Sequence, residues 1–350
     1  MKSLVYLIYG DAQVYHLELS YSVMSALRHQ TDPSMRIVLI TDERNRRDDL
    51  PVEHLIFDAA QMSAWTDGGT YNHAAKAGVV LLALDKLGGQ VVLVDTDTYF
   101  IDDPCRIFTR INQTYSVMHV CEGSLRDQNG YYDQIIAHSA KTPFNGYDIN
   151  ADSAMWNSGL IGVDETLRGA LSEVPELIRY LHSMDPRVHS VEQFAFGEVL
   201  ARHRTIRPGD DALVHYYGYE RHFLHCGLRK LFPEFTPEVF ARAQAAEAAL
   251  DCYPKTLLQN KIFAKVRQSW RRAPDIYRFA QLAYLSAFNE QRPDYANAWA
   301  SIAIDAIRWN HFNLEHVQTD FKEMRLSKLP EYSWLRSETH SLWERYWTDR

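Results

Sequence analysis

No cysteine in this chain stands close enough to another to form a C-x-x-C pair; the four, Cys105, Cys121, Cys226 and Cys252, are scattered. Four cysteines in 350 residues build no disulfide framework, and they read as reduced thiols in a cytosolic protein. Also missing is an uninterrupted apolar run of the ~18 residues that a membrane span needs. The opening "MKSLVYLIYGDAQ" holds an apolar stretch of strand length with no small-residue cleavage site behind it, so no signal peptide is expected. There is no excess of positive charge. The formal net charge of −8 argues against a nucleic-acid binder that works through overall charge. Internal repeats and low-complexity segments are lacking as well. What is left, 46% hydrophobic and 23% charged residues, is the composition of an ordinary globular protein. At this length, one large domain with an appendage is expected.

The first third alternates strand and helix patterns. "LVYLIYG" (4–10), "RIVLITD" (36–42), "HLIF" (54–57) and "VVLVD" (91–95) read as strands. "VYHLELSYSVMSALRH" (14–29) and the largely apolar "NHAAKAGVVLLALDKLG" (72–88) read as helices between them. That rhythm predicts a parallel α/β sheet, in which ligands gather at the carboxyl ends of the strands. Asp11, Asp42 and Asp95 fall at such ends. Further strands are expected at 115–120, 158–163 and 212–217, with helices near 166–183 and 191–202. Beyond about residue 235 only helical and loop patterns appear, interrupted by prolines. The organisation expected is an α/β domain over 1–233 and a helical C-terminal region over 234–350.

In "VVLVDTDTYFIDDP" (91–104) a buried strand runs into Asp-x-Asp. Two residues apart in extended chain, Asp95 and Asp97 project to one side. Like charges so close repel, and a divalent cation is the usual reason to bring them together. The plain alternative is a pair of solvated strand-end acids, with Asp102 and Asp103 opening a turn before Pro104.

Several motifs, in order, resemble glycosyltransferase family 8 and its relatives. They are "YGDAQVYHLELSYSVMSAL", "KAGVVLLALDKLGGQVVLVDTDTYFIDDP", "MWNSGLIGV" (155–163), "VEQFAFGEVL" (191–200) and "HYYGYER" (215–221), the last with H-x-x-G-x-x-K/R spacing. The resemblance covers roughly residues 4 to 225. It implies a GT-A (Rossmann-like) nucleotide-sugar-binding sheet and a metal-dependent hexosyltransferase acting on a UDP-sugar with retention. "VVLVDTDT" also resembles the nucleophile strand of haloacid-dehalogenase-like phosphatases, where Asp95 would attack phosphorus and Asp97 act as acid. That strand normally opens its domain, whereas here a full α/β section precedes it. A non-catalytic nucleotide-sugar-binding protein is the third reading.

By the resemblance, Asp95 and Asp97 hold Mn²⁺ or Mg²⁺ and His215 supplies the third ligand, with His225 of "HCGLRK" (225–230) as rival. Gly218 permits close approach to phosphate, and Arg221 contacts the diphosphate. The chain continues Arg221, His222, Phe223 where the family usually has Pro-Trp. Asn157, Gln193 and Asp152 are nominated near the reacting carbon of the sugar. Glu192 and Gln193 stand where the family commonly has Asp-Gln, and Glu192 is expected to face solvent or the acceptor. Lys76 interrupts an apolar helix; it contacts phosphate or an aspartate, or snorkels at the helix edge. Asp11 and Tyr15 are placed at the nucleobase, Tyr15 stacking and Asp11 accepting from the ring N–H; the alternative for Asp11 is a helix N-cap.

The segment "KTLLQNKIFAKVRQSWRR" (255–272) has six basic residues and no acid in an acidic chain. At ~100° per residue, Ile262, Phe263, Val266 and Trp270 share one arc, and Lys261, Lys265, Arg267, Arg271 and Arg272 lie on the other. Such a helix either docks its apolar arc on the domain or lies on an anionic membrane surface. The partners expected are a UDP-sugar donor, a glycan, lipid-linked or protein acceptor, and no nucleic acid. The location expected is cytoplasmic, with peripheral contact at the inner membrane face through 255–272 as the second option.

Overall fold

A computed structural model describes residues 1–128, 130–246, 250, 256–271, 278–279, 282–283, 285–286 and 292–310. The chain forms two compact units: Met1–His215 with Phe232–Glu247, and Tyr216–Leu231 with Ala248–Arg350.

The first unit opens as the strand and helix patterns predict, with β1 (Lys2–Ile8), α1 (Gln13–His29), β2 (Arg36–Thr41), β3 (Glu53–Ile56), α2 (Ala59–Trp65), α3 (Ala75–Leu87) and β4 (Gln90–Val94). Then come β5 (Thr98–Phe100), α4 (Cys105–Phe108), β6 (Tyr115–Met118), β7 (Cys121–Ser124), α5 (Asp133–Ser139), β8 (Ala154–Trp156) and β9 (Leu160–Asp164). The helices α6 (Arg168–Leu171), α7 (Glu173–Met184) and α8 (Val191–His203) precede β10 (Thr205–Pro208) and β11 (Leu213–His215). After α9 (Glu220–Leu231), which belongs to the second unit, α10 (Pro237–Ala245) returns to the first. The remaining described helices, α11 (Leu258–Arg271) and α12 (Pro293–Asn310), lie in the second unit.

Seven strands form the main sheet in the order β10-β6-β9-β4-β1-β2-β3. The sheet is mainly parallel. The strands of the first third, β1 to β4, pair parallel as expected, while β9 runs antiparallel to both β4 and β6. Strand β1 is buried almost throughout, as a parallel strand covered on both faces must be. On one side, Val5, Leu93 and Ile161 pack with Val79 and Val80 of α3, Leu177 of α7 and Phe194 of α8. Helix α7 turns in Val174, Leu177, Ile178 and Leu181, the i, i+3, i+4, i+7 stripe of an amphipathic helix.

On the other side, α1 is buried over ten consecutive residues, Leu17 to Ala26, three of them serines. Those serines are not spare polarity. Ser22 bonds both the Tyr6 hydroxyl of β1 and Thr98 Oγ1, each at 3.0 Å. Thr98 Oγ1 in turn donates to the Asp95 carbonyl at 2.7 Å, and Ser25 Oγ accepts from Phe100 N at 2.9 Å. Thr96 donates to the buried Glu18 carboxylate at 2.9 Å. The two threonines of "DTDT" therefore tie the segment down onto α1, which leaves the two aspartates to the opposite side.

Two small antiparallel sheets complete this unit: β11 with β5, and β7 with β8. The first pairs His215 with Thr98. Within the second unit, Phe223 of α9 packs edge-on against Tyr295 and Trp299 of α12. His222 bonds Asp305 there at 2.7 Å.

Candidate functional site

Strand β4 ends at the carboxyl edge of the sheet, where Asp95 N donates to the Gly159 carbonyl at 3.0 Å. The β5–β11 pairing then delivers His215 from more than a hundred residues away. The result is a cluster of Asp95, Asp97 and His215 with one ligand atom from each, all within 4.8 Å of one another. His215 Nε2 lies 3.2 Å from Asp97 Oδ1 and 3.8 Å from Asp95 Oδ2. Among the described residues these three form the one candidate metal cluster. The histidine that completes it is His215. His225, the rival, sits on α9 in the second unit with its ring 6.3 Å from that of His222.

The "NSG" of residues 157–159 holds this cluster, each residue in a different way. Asn157 Oδ1 accepts from Gly159 N at 2.9 Å, while its Nδ2 donates to Glu122 Oε1 at 2.9 Å, which fixes the amide orientation. The same Oδ1 lies 2.9 Å from His215 Nδ1. Nδ1 is therefore a protonated nitrogen that donates to Asn157, and Nε2 is the nitrogen turned towards Asp97 and Asp95, the one that would bind a cation held by the two carboxylates after giving up its own proton. Gly159 makes room for the ring: a Cβ there would stand 2.1 Å from His215 Nδ1. Ser158 Oγ donates to Glu192 Oε1 at 2.6 Å and accepts from Lys76 Nζ at 3.0 Å.

Lys76 settles on an aspartate. Its ammonium lies 2.8 Å from Asp95 Oδ2 and 3.2 Å from Glu192 Oε1. Burial opposes its charge, but Asp95 and then Glu192 outweigh that and hold it above the ordinary lysine value. Glu192 is the corresponding correction, because it does not face solvent. It is buried on α8 (4% exposed) and accepts from Lys76, Ser158 and, at 3.3 Å, the Tyr71 hydroxyl. Burial would raise its carboxyl, yet Lys76 and His73 bring it below the usual range. A charged pair in so dry a place is tolerable because both oxygens of the carboxylate have a donor.

For His215, burial again works against the charged form, while Asp97 and then Asp95 raise it above its ordinary value overall. His119 on the loop after β6 supports it: the two rings meet edge-on at 5.5 Å, and His119 Nε2 bonds the Leu213 carbonyl of β11 at 3.3 Å. Burial, then His215, lower His119 below its ordinary value.

Gln193 donates to Glu122 Oε2 at 3.2 Å, so one carboxylate joins Gln193 to Asn157. Asp152 is placed elsewhere; it is exposed and paired with Arg126. Asp11 is also exposed, 3.5 Å from Arg44, and it is not the α1 cap, because that position is Ala12 and carries no side-chain bond. Tyr15 lies in the first turn of α1, 47% exposed. Gly218 and Arg221 belong to the second unit, where Arg221 Nη2 is 3.2 Å from Asp305.

Glu122, His119, Ser158 and Gly159 are absent from the sequence-derived site. The asparagine of "NSG" was the only signal for its neighbours. Glu122 and His119 bear no local mark, since their importance comes from partners 35 and 94 residues away. Beside the cluster's sheet edge, a cleft of about 620 Å³ opens at the carboxyl ends of β1, β2 and β3. Tyr9, Gly10, Asp42, Arg44, Phe57 and Asp58 line it. Gly10 turns there at φ 80°, the left-handed region that favours glycine. Among the described residues no helix is long and apolar enough to cross a membrane.

No protein-family model and no curated protein matches the chain. Among solved structures, mouse xyloside xylosyltransferase 1 in its apo form is similar to it, at 13% identity and a TM-score of 0.41, over 59% of this chain and 84% of that one.

Proposed function

We propose that the first unit is the catalytic unit of a metal-dependent GT-A glycosyltransferase that moves a hexosyl group from a UDP-sugar with retention at the anomeric carbon. The observation that carries this reading is the Asp95–Asp97–His215 cluster at the carboxyl end of β4, with its histidine oriented by Asn157 so that Nε2 faces the two aspartates. Two carboxylates and an imidazole nitrogen suit Mn²⁺ or Mg²⁺. The fit is supported by Gly159, whose missing side chain is what admits the imidazole. Bound there, the ion supplies Lewis acidity to a departing diphosphate.

The chain's own residues do the rest. Lys76 orients Asp95 and keeps positive charge beside the leaving group. Glu192 keeps that lysine charged and in place. Ligands of an α/β sheet bind outside the strand ends, so the cleft at β1–β3 receives the nucleoside, with the diphosphate directed to the cluster. Gln193, joined to Asn157 through Glu122, presents its amide for the donor sugar.

Calorimetric titration with UDP in the presence of Mn²⁺, and again with EDTA, is the test. Binding that needs the metal, followed by UDP release from one member of a UDP-sugar panel, supports the reading. Asp97→Asn should then lower turnover by about 10²–10³-fold with an unchanged melting temperature. Hydrolysis of p-nitrophenyl phosphate that disappears in Asp95→Asn, with no UDP binding, would instead make this site a phosphatase.

A further inference from the structure

Helix α11 is built inside out for a helix that only completes a core. Its buried residues are Asn260, Ala264 and Gln268, an i, i+4, i+8 stripe of two amides and a methyl. The large apolar side chains face outward: Leu258 is 71% exposed, Ile262 54%, Phe263 49%, Val266 59% and Trp270 86%. Placed at 100° per residue, these five lie within one arc of about 140°, which they share with Gln259 and Ser269. Single exposed apolar residues need no explanation, but five on one arc mark a surface that meets something. The expectation that such a helix would dock its apolar arc on the domain is thus reversed.

Its margins are charged with one sign. Lys261 and Lys265 border the arc on one side and Arg267 on the other, and no acid occurs between 256 and 271. Arg267 runs alongside the apolar residues, its guanidinium 5.5 Å from the Phe263 ring. Lys265 is exposed. A second copy of the chain seated on this arc would bring two basic margins together, which like-charge repulsion opposes. Anionic headgroups complement the margins, and the headgroup–acyl boundary accepts the arc, with tryptophan at the depth it favours.

We propose that α11 seats this protein on an anionic phospholipid bilayer. The helix lies in the interface plane, with Leu258, Ile262, Phe263, Val266 and Trp270 entering the acyl boundary and Lys261, Lys265 and Arg267 at phosphate level. This inference is independent of the reaction assigned to the first unit.

The experiment is co-sedimentation of the full chain with phosphatidylcholine vesicles, with and without phosphatidylglycerol, at low and high salt. Pelleting should need phosphatidylglycerol and weaken at high salt. Two double variants at these outward positions, F263S/W270S and K265E/R267E, should each lower partitioning by about tenfold or more while keeping the wild-type circular dichroism spectrum. Light scattering on the free protein supplies the opposing outcome. A wild-type oligomer that F263S/W270S converts to monomer, with no vesicle binding, would give the arc to a second copy and overturn the proposal. Equal pelleting with and without phosphatidylglycerol overturns it too.

Discussion

Asn157 and His215 share one hydrogen bond of 2.9 Å, and through it an amide decides which nitrogen of the imidazole faces the two aspartates. Replacing Asn157 with Ala frees the ring and its tautomer. The expected result is a 10- to 100-fold loss of Mn²⁺ affinity by calorimetry, the usual size for losing a partner behind a ligand. Asn157→Asp keeps the acceptor for Nδ1 but sets a carboxylate oxygen against Glu122 Oε1, so it should recover affinity only when combined with Glu122→Gln.

Gly159 makes a sharper test, because nothing flexible can absorb the intrusion. A methyl group at this position stands 2.1 Å from the His215 ring, which is packed between Asn157 and His119. Gly159→Ala should destabilise the protein by about 1–3 kcal/mol in denaturant titration and abolish metal binding. A variant that melts normally and still binds Mn²⁺ would remove the close packing from the account of the site.

Lys76 and Glu192 should behave as a unit. Truncating the lysine, in Lys76→Met, leaves a buried carboxylate with Ser158 and Tyr71 as its hydrogen-bond donors and His73 as a basic neighbour, at a cost of about 3–5 kcal/mol. Lys76→Met with Glu192→Gln removes both charges and should regain a substantial part of that loss. Chemical denaturation of the two singles and the double measures the coupling. Strict additivity would mean the pair is not linked in the folded state.

Glu198 gives a pH dependence with a definite sign. Burial, then Asp148, push its carboxyl up to about 7. In the unfolded chain it ionises near its ordinary value, so folding is favoured by this group below about 4.5 and the advantage is lost as pH rises through about 7. Glu198→Gln should therefore stabilise the protein by about 1–3 kcal/mol at pH 8 relative to wild type, and by little at pH 4. Melting temperatures across that range check it; a constant difference at all pH values would show that the carboxyl titrates normally.

The sequence by itself determined the local terms of this protein. Alternating strand and helix periods placed β1, α1, β2, α3 and β4, because each period reports which side of an element is apolar. The two-residue spacing of Asp95 and Asp97 put both carboxylates on one side, and an intervening threonine on the other. What the tertiary structure alone decided are choices between equal local candidates. His215 completes the cluster because β11 pairs with β5 in a register that sets it opposite Thr98, and no spacing rule in "HYYGYER" or "HCGLRK" specifies that register. Glu192 turns inward because Lys76 of α3, on the same side of the sheet, offers it a charge. β9 reverses direction between β4 and β6, although its composition is that of any buried strand. In α11 the amphipathic pattern was legible, but which arc is covered depends on what the rest of the second unit packs against it: Asn260, Ala264 and Gln268 are enclosed, and the hydrophobic arc is left outside. Periodicity divides a helix into faces; only long-range contacts say which face is buried.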